Sequence, residues 1–173
     1  LGVCAMKQSL DLHLVTDLPL VHAYHVTFVK DEQTDVVDLV DLERLEADGQ
    51  LGELVGGVLH AHPRPAPKHA QAASTLGEEL GPPFKRGRGG PGGWVILDEP
   101  ELHLGADVLV PDLAGWRRER MPELPVDRAF FELAPDWVAE VLSPRTAPLD
   151  RGPKLRIYAA HGVRHVWLVD PEA

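Results

Sequence analysis

Residues 134–171 read APDWVAEVLSPRTAPLDRGPKLRIYAAHGVRHVWLVDP, and they set an acid inside an apolar strand. Around Glu140 the neighbours Trp137, Val138, Ala139, Val141 and Leu142 form a short apolar run. Pro135 and Ser143-Pro144 bound it, as they would a buried strand. An isolated ionised carboxylate there is costly, so it must be paired, protonated or bound to a metal. A helix is expected from about Leu149 to His161, closed by Gly162, and Arg164–Val169 reads as the next strand. Upstream, Asp107-Val108-Leu109-Val110-Pro111-Asp112 repeats the design within a strand expected to run from Asp107 to Trp116. Two strand-borne acids from separate segments point to a metal site.

Working outward, Leu39, Leu42 and Leu45 recur at helical spacing between Asp38 and Asp48, with Glu43, Arg44 and Glu46 between them and Gly49 as a stop. Glu53–Leu59 reads as a hairpin turning at Gly56-Gly57. Pro63, Pro65 and Pro67 stiffen a linker. A helix is expected over about Lys68–Leu80, burying Ala72, Ala73, Leu76 and Leu80 and ending at Gly81-Pro82. The loop from Pro83 to Gly93 lacks the lysine and spacing of a phosphate-binding loop, and is expected to be flexible and near the site. Trp94–Leu97 is a strand, with Glu101–Leu104 as its continuation. In residues 1–37, Leu10, Leu12 and Leu14 alternate with Asp11 and His13, and His22–Val29 is apolar. That stretch reads as an N-terminal extension with one or two edge strands, ahead of a domain over 38–173. The order αβαβββαβ gives an α/β (α+β) class, a mixed sheet flanked by helices.

The series Pro111-Asp112, Pro135-Asp136-x-x-x-Glu140-Val141-Leu142-Ser143-Pro144, Lys154, Tyr158, Gly162-Val163 and Trp167-Leu168-Val169-Asp170-Pro171 resembles the Uma-two family. That family is a bacterial group assigned to the PD-(D/E)XK nuclease superfamily. The likeness continues upstream through Gly52–Gly57 and Pro65–His69. It implies a restriction-endonuclease-like core, a Mg²⁺ or Mn²⁺ site and hydrolysis of DNA. Asp112 and Glu140 stand at the family's acidic positions. Two residues after Glu140, where the usual motif carries lysine, this chain has Leu142, so Lys154 on the following helix is the candidate cation. Glu53 resembles the acid that many of these nucleases place on their first core elements. The expected catalytic set is Asp112, Glu140, Lys154 and Glu53, and the expected metal ligands are Asp112, Glu140 and Glu53. Each has a plainer reading: Asp112 as a turn cap, Glu140 paired with a buried arginine, Lys154 in a surface pair with Asp150, Glu53 as a hairpin charge. His69 either faces the cleft or lies on a helix surface, and Asp136 is a strand-edge residue rather than a ligand.

Other chemistries find less support. His60-x-His62 with His69 suggests zinc, yet no HExxH or paired-cysteine motif accompanies them. Ser143 lacks the G-x-S-x-G setting of a hydrolase nucleophile. The single Cys4 excludes an intramolecular disulfide framework and fits a reducing cytoplasm. No apolar run approaches the roughly 20 residues of a membrane helix, and Lys7, Asp11, His13 and Asp17 interrupt any signal-peptide core. A net charge of -10 opposes non-specific nucleic-acid binding and leaves two local basic patches, Lys85/Arg86/Arg88 and Arg117/Arg118/Arg120. The functional expectation is a metal-dependent endonuclease acting on DNA. Its alternative is a non-catalytic nuclease-fold binding or interaction module. Cutting both strands of a duplex favours a homodimer. Sedimentation at micromolar concentration checks this, and a monomer there counts against it.

Overall fold

The computed structural model describes residues 11–15, 22–27, 51–62 and 64–172. The amphipathic helix expected over 38–48 lies outside them. Two sheets organise the chain. The first has the order β1-β2-β11-β10-β8-β5, with β1 Asp11–Val15, β2 His22–Thr27, β5 Trp94–Asp98, β8 Leu113–Arg117, β10 Trp137–Val141 and β11 His165–Asp170. The second has the order β4-β3-β7-β6-β9, with β3 Leu51–Val55, β4 Val58–His62, β6 Glu101–Leu104, β7 Asp107–Leu109 and β9 Phe130–Phe131. The expected hairpin is β3–β4, and Gly56 and Gly57 turn it with φ of 56° and 79°, a conformation that favours glycine.

β10 and β11 pair in parallel, which requires a crossover. Its helical part begins with α2, Ala147–Leu149, widens into a π-helical turn over Asp150–Lys154, and continues as α3, Leu155–Ala160. Gly162, at φ 77°, then releases the chain towards β11. β10 is buried at every position, because both of its faces are covered. Trp137, Ala139 and Val141 pack with Ala72, Leu76 and Leu80 of helix α1, Pro67–Leu80. On the other face Val138 joins Leu155 and Tyr158 of α3 and Leu102, Leu104 and Leu109 of the second sheet. The larger core thus lies between the two sheets. Among the described residues no helix is long and apolar enough to cross a membrane.

Three expectations change. Asp107–Trp116 is not one strand. It breaks at Pro111-Asp112, where the chain leaves the second sheet and joins the first, and proline can donate no ladder hydrogen bond. Glu101–Leu104 does not continue the strand at Trp94. It reverses at Glu99, φ 45°, and enters the other sheet. Gly81-Pro82 does not end the helix either, since a π-helical turn extends over Gly81–Lys85. The following loop is tied back by Arg88 N–H donating to the Pro82 carbonyl at 2.8 Å and Gly92 N–H to Pro83 at 2.9 Å.

Trp116 is fully buried between the sheets, and its Nε1–H donates to the Leu133 carbonyl at 2.8 Å. Trp116→Ala is expected to cost about 3–5 kcal/mol through the cavity it leaves. Denaturant titration checks this, and an unchanged midpoint refutes the placement of the core.

Candidate metal and catalytic site

Glu140 alternates with Val138 onto the face of β10 that looks into the larger core, where it is 2% exposed. Three partners reach it or its neighbours from separate elements. The Lys154 ammonium, from the π-helical turn, lies 2.8 Å from Glu140 Oε1, 2.8 Å from Glu53 Oε1 and 3.6 Å from Asp150 Oδ1. The Tyr158 hydroxyl, one turn further on, donates to Glu140 Oε1 at 2.5 Å. Glu53, on β3, also accepts the Val110 N–H at 2.6 Å. The helix widens where this cluster forms. Pro153 removes one helical donor, its ring crowds the preceding turn, and the wider turn accommodates it while Asp150 and Lys154 both face inward.

Asp112 occupies the corner between β7 and β8. β10 and β8 pair as far as Ala139 with Leu113, so Asp112 comes one position beyond the ladder, opposite Glu140. Its Oδ2 accepts the Val141 N–H at 2.7 Å, and its Oδ1 lies 3.3 Å from Nε2 of His69 on α1. His69 therefore faces the cluster rather than the helix surface, and its buried Nδ1 has no hydrogen-bond partner among the described residues.

Burial dominates the electrostatics. It raises Glu140 well above the usual carboxylate range; Lys154 opposes this, while Asp150, Glu53 and Asp112 add to it. Burial also raises Asp150, against the pull of Lys154. Asp112 rises from 3.8 to about 6, again through burial, with His69 and the Val141 N–H opposing. Burial alone would lower Lys154, but the carboxylates of Glu140, Glu53 and Asp150 outweigh it and hold the ammonium above its ordinary range. Tyr158 is raised by burial and by the adjacent Glu140, so its phenol stays protonated and remains a donor. Three carboxyl groups thus surround one ammonium, with Asp112 beyond them.

The plainer readings of Glu140 and Lys154, as members of ion pairs, keep the pairing and change its partner or its place. Glu140 is paired with a buried lysine, not an arginine, and the Lys154–Asp150 pair is in the core, not on the surface. Asp136 is structural: it accepts the Arg117 N–H at 2.8 Å and pairs with Arg120 at 2.7 Å. Ser143 bonds the Thr146 N–H at 3.1 Å, at the start of the crossover helix. Asp150 and Tyr158 were not among the expected site residues. Their sequence signal was the spacing Asp150, Lys154, Tyr158, one face of a helix.

Among the described residues no group of three or more His, Cys, Asp and Glu side chains is arranged to hold a metal ion, and this applies to Asp112, Glu140 and Glu53 as much as to the histidines of the zinc reading. The donor set at Asp112, Glu140 and Glu53 is all carboxylate oxygen with an excess of negative charge.

With this geometry in place, comparison with known proteins defines the class. The sequence profile of the Uma2 family, described as "Putative restriction endonuclease", matches residues 38–173. The chain belongs to this family, within the PD-(D/E)XK nuclease superfamily and its restriction-endonuclease-like fold. Among solved structures it is similar to a "putative nuclease belonging to DUF820" from Anabaena variabilis, with TM-score 0.61 and 25% identity, over 70% of this chain and 67% of that one. No curated protein matches.

Between pH 3.8 and about 6, folded Asp112 keeps a proton that the unfolded chain has released. Its contribution to stability therefore falls as pH rises through that interval, and the penalty is complete above it. Asp112→Asn keeps an acceptor for Val141 and removes the charge. At neutral pH without metal it is expected to stabilise the fold by up to about 3 kcal/mol and to flatten the pH dependence. Urea titrations on either side of the interval check this; an equal slope in both proteins refutes it.

Proposed function

We propose that the protein is a metal-dependent endonuclease that hydrolyses DNA phosphodiester bonds at the Asp112, Glu140, Glu53 and Lys154 cluster. The observation that carries this is Lys154, whose ammonium is buried within 2.8 Å of both Glu53 and Glu140, beside the strand where this chain has Leu142 in place of the usual motif lysine. Asp112, Glu140 and Glu53 would hold Mg²⁺ or Mn²⁺, which when bound supplies Lewis acidity and a more acidic water. The chain's own residues divide the remaining work. The Val141 N–H fixes the Asp112 carboxylate, and the Tyr158 hydroxyl fixes that of Glu140. Lys154 is held as an ammonium, which makes it a donor to water or to developing phosphate charge rather than a base. A dimer in which each subunit cuts one strand suits this reading, as does a reducing, cytoplasmic setting.

A second reading rests on a different feature of the same cluster. Glu140 Oε1 already takes both Lys154 and Tyr158, a closed network of the kind a purely structural core would use. The non-catalytic binding module is that alternative.

Cleavage of supercoiled DNA with Mg²⁺ at low salt, beside Mn²⁺ binding by electron paramagnetic resonance, separates them. Lys154→Ala is expected to keep Mn²⁺ binding and to lose about 10²–10³ in cleavage rate. Asp112→Ala and Glu140→Ala lose both. Mn²⁺ binding should weaken on acidification through about 6, because a protonated Asp112 cannot ligate. Equal cleavage by every variant exposes a contaminant, and metal binding without cleavage of any nucleic acid favours the binding module.

A further inference from the structure

The face of the first sheet away from the acidic cluster carries a groove of about 290 Å³. Three of the chain's four tryptophans, Trp94, Trp137 and Trp167, line it, with His165 and with Leu80 and Phe84 from α1 and its π-helical extension. Gly115 makes this floor: a Cβ there would lie 3.0 Å from Cε3 of Trp137 and 3.3 Å from Cε3 of Trp94, so no larger residue lets both rings lie against β8. Trp137 and Trp167 meet edge to face at 5.1 Å. Trp137 is 7% exposed, and its Nε1–H has no acceptor among the described residues.

The rim is basic although the protein is acidic. Trp94 pairs with Arg117 across β5 and β8, and the guanidinium lies 4.8 Å from the centre of the Trp94 ring. Arg118 N–H donates to the Gly93 carbonyl at 2.8 Å. Arg86 and Arg88 of the first basic patch lie on the loop between Phe84 and Trp94, which both line the groove, while its Lys85 donates to the Ile96 carbonyl. Arg117 and Arg118 of the second patch flank the start of β5, while its Arg120 is engaged by Asp136. Arg164 also reaches this end, since after burial it is Arg164 and then Arg117 that push the His165 imidazole down. The acid there, Asp136, is engaged by Arg120 at 2.7 Å. Trp137 precedes Glu140 by three residues on the opposite face, about 10 Å along the strand.

We propose that this groove binds a single-stranded nucleic-acid segment, with bases stacked on Trp94 and Trp167 above the buried Trp137 and phosphates on Arg86, Arg88, Arg117 and Arg164. The chemistry on both sides matches. Indole faces accept any base, whereas a duplex keeps its bases stacked on one another and offers no free ring. Exposed guanidinium groups beside them supply the charge that a polyanion requires of a protein with net charge -10. The surface gives the nuclease reading a strand-holding site apart from its acidic cluster, and in that sense rests on it.

The test is quenching of tryptophan fluorescence by a short thymidine oligonucleotide, with the full chain in EDTA so that no cleavage intervenes. Saturable quenching is expected, with duplex DNA of the same length binding more weakly. Trp94→Ala should weaken binding about tenfold. Arg117→Ala and Arg88→Ala, which leave the core untouched, should each lower the slope of log affinity against log salt by about 0.7. Absence of quenching, or Arg variants with unchanged slopes, overturns the proposal. So does self-association that Trp94→Ala abolishes, which would make a second copy the occupant. Oligonucleotide binding without any metal-dependent cleavage would sink the nuclease reading and leave this one standing; cleavage without groove binding would do the reverse.

Discussion

The Lys154 ammonium between Glu53 and Glu140 is the contact on which the rest of the structure turns. Glu53 belongs to the second sheet, Glu140 to the first, and Lys154 to the crossover between β10 and β11. One cation therefore joins the three parts that enclose the larger core. Desolvating such groups is expensive, and their mutual attraction offsets the cost only when the geometry is good and the other lone pairs are satisfied. Here the Val110 N–H beside the Pro111 break serves Glu53, the Tyr158 hydroxyl serves Glu140, and the Val141 N–H of β10 serves the neighbouring Asp112. The break that ends one strand and begins another thus delivers Asp112 and Val110 to the same cluster.

The charge count gives the cluster its chemical character. An arrangement of one ammonium among several buried carboxyl groups is incompletely neutralised, and burial lifts Asp112, Glu140 and Asp150 accordingly. At the proposed metal site a divalent cation would supply the missing positive charge, because carboxylates ligate once their protons have left. Tyr158 and the π-helical turn fix orientations that a flexible lysine and glutamate would not hold alone.

β10 also explains how one strand serves two surfaces. Alternation sends Val138 and Glu140 into the core between the sheets and Trp137, Ala139 and Val141 towards α1. α1 covers Ala139 and Val141, whereas Trp137 opens onto the groove at the far end, with Gly115 beside it. The acidic and the arginine-rich surfaces are kept apart by the thickness and length of a single strand. That separation lets a protein of net charge -10 carry a basic edge at all.

Much of this was legible in the chain itself. An acid within Trp137–Val141, glycines at 56, 57 and 162, and a helical stripe over Ala72, Leu76 and Leu80 are local signals, and each corresponds to a local constraint of burial or backbone conformation. The family pattern added the positions of Asp112 and Glu140, and the absence of a lysine at Leu142 directed attention to Lys154. What local signals do not contain is which elements meet. Pro111 marks a break, but only packing shows that the strands on either side enter different sheets. The spacing of Asp150, Lys154 and Tyr158 marks a helix face, but whether that face meets water or Glu53 and Glu140 depends on contacts more than a hundred residues apart. Likewise Trp94 and Arg117 are well separated in the sequence and partners in space, because β5 and β8 pair antiparallel. The sequence by itself determined element type and candidate chemistry, which follow from short-range periodicity and residue type; the tertiary structure alone decided partners and burial, because desolvation and ion pairing depend on distances that the chain establishes only once its sheets have closed on each other.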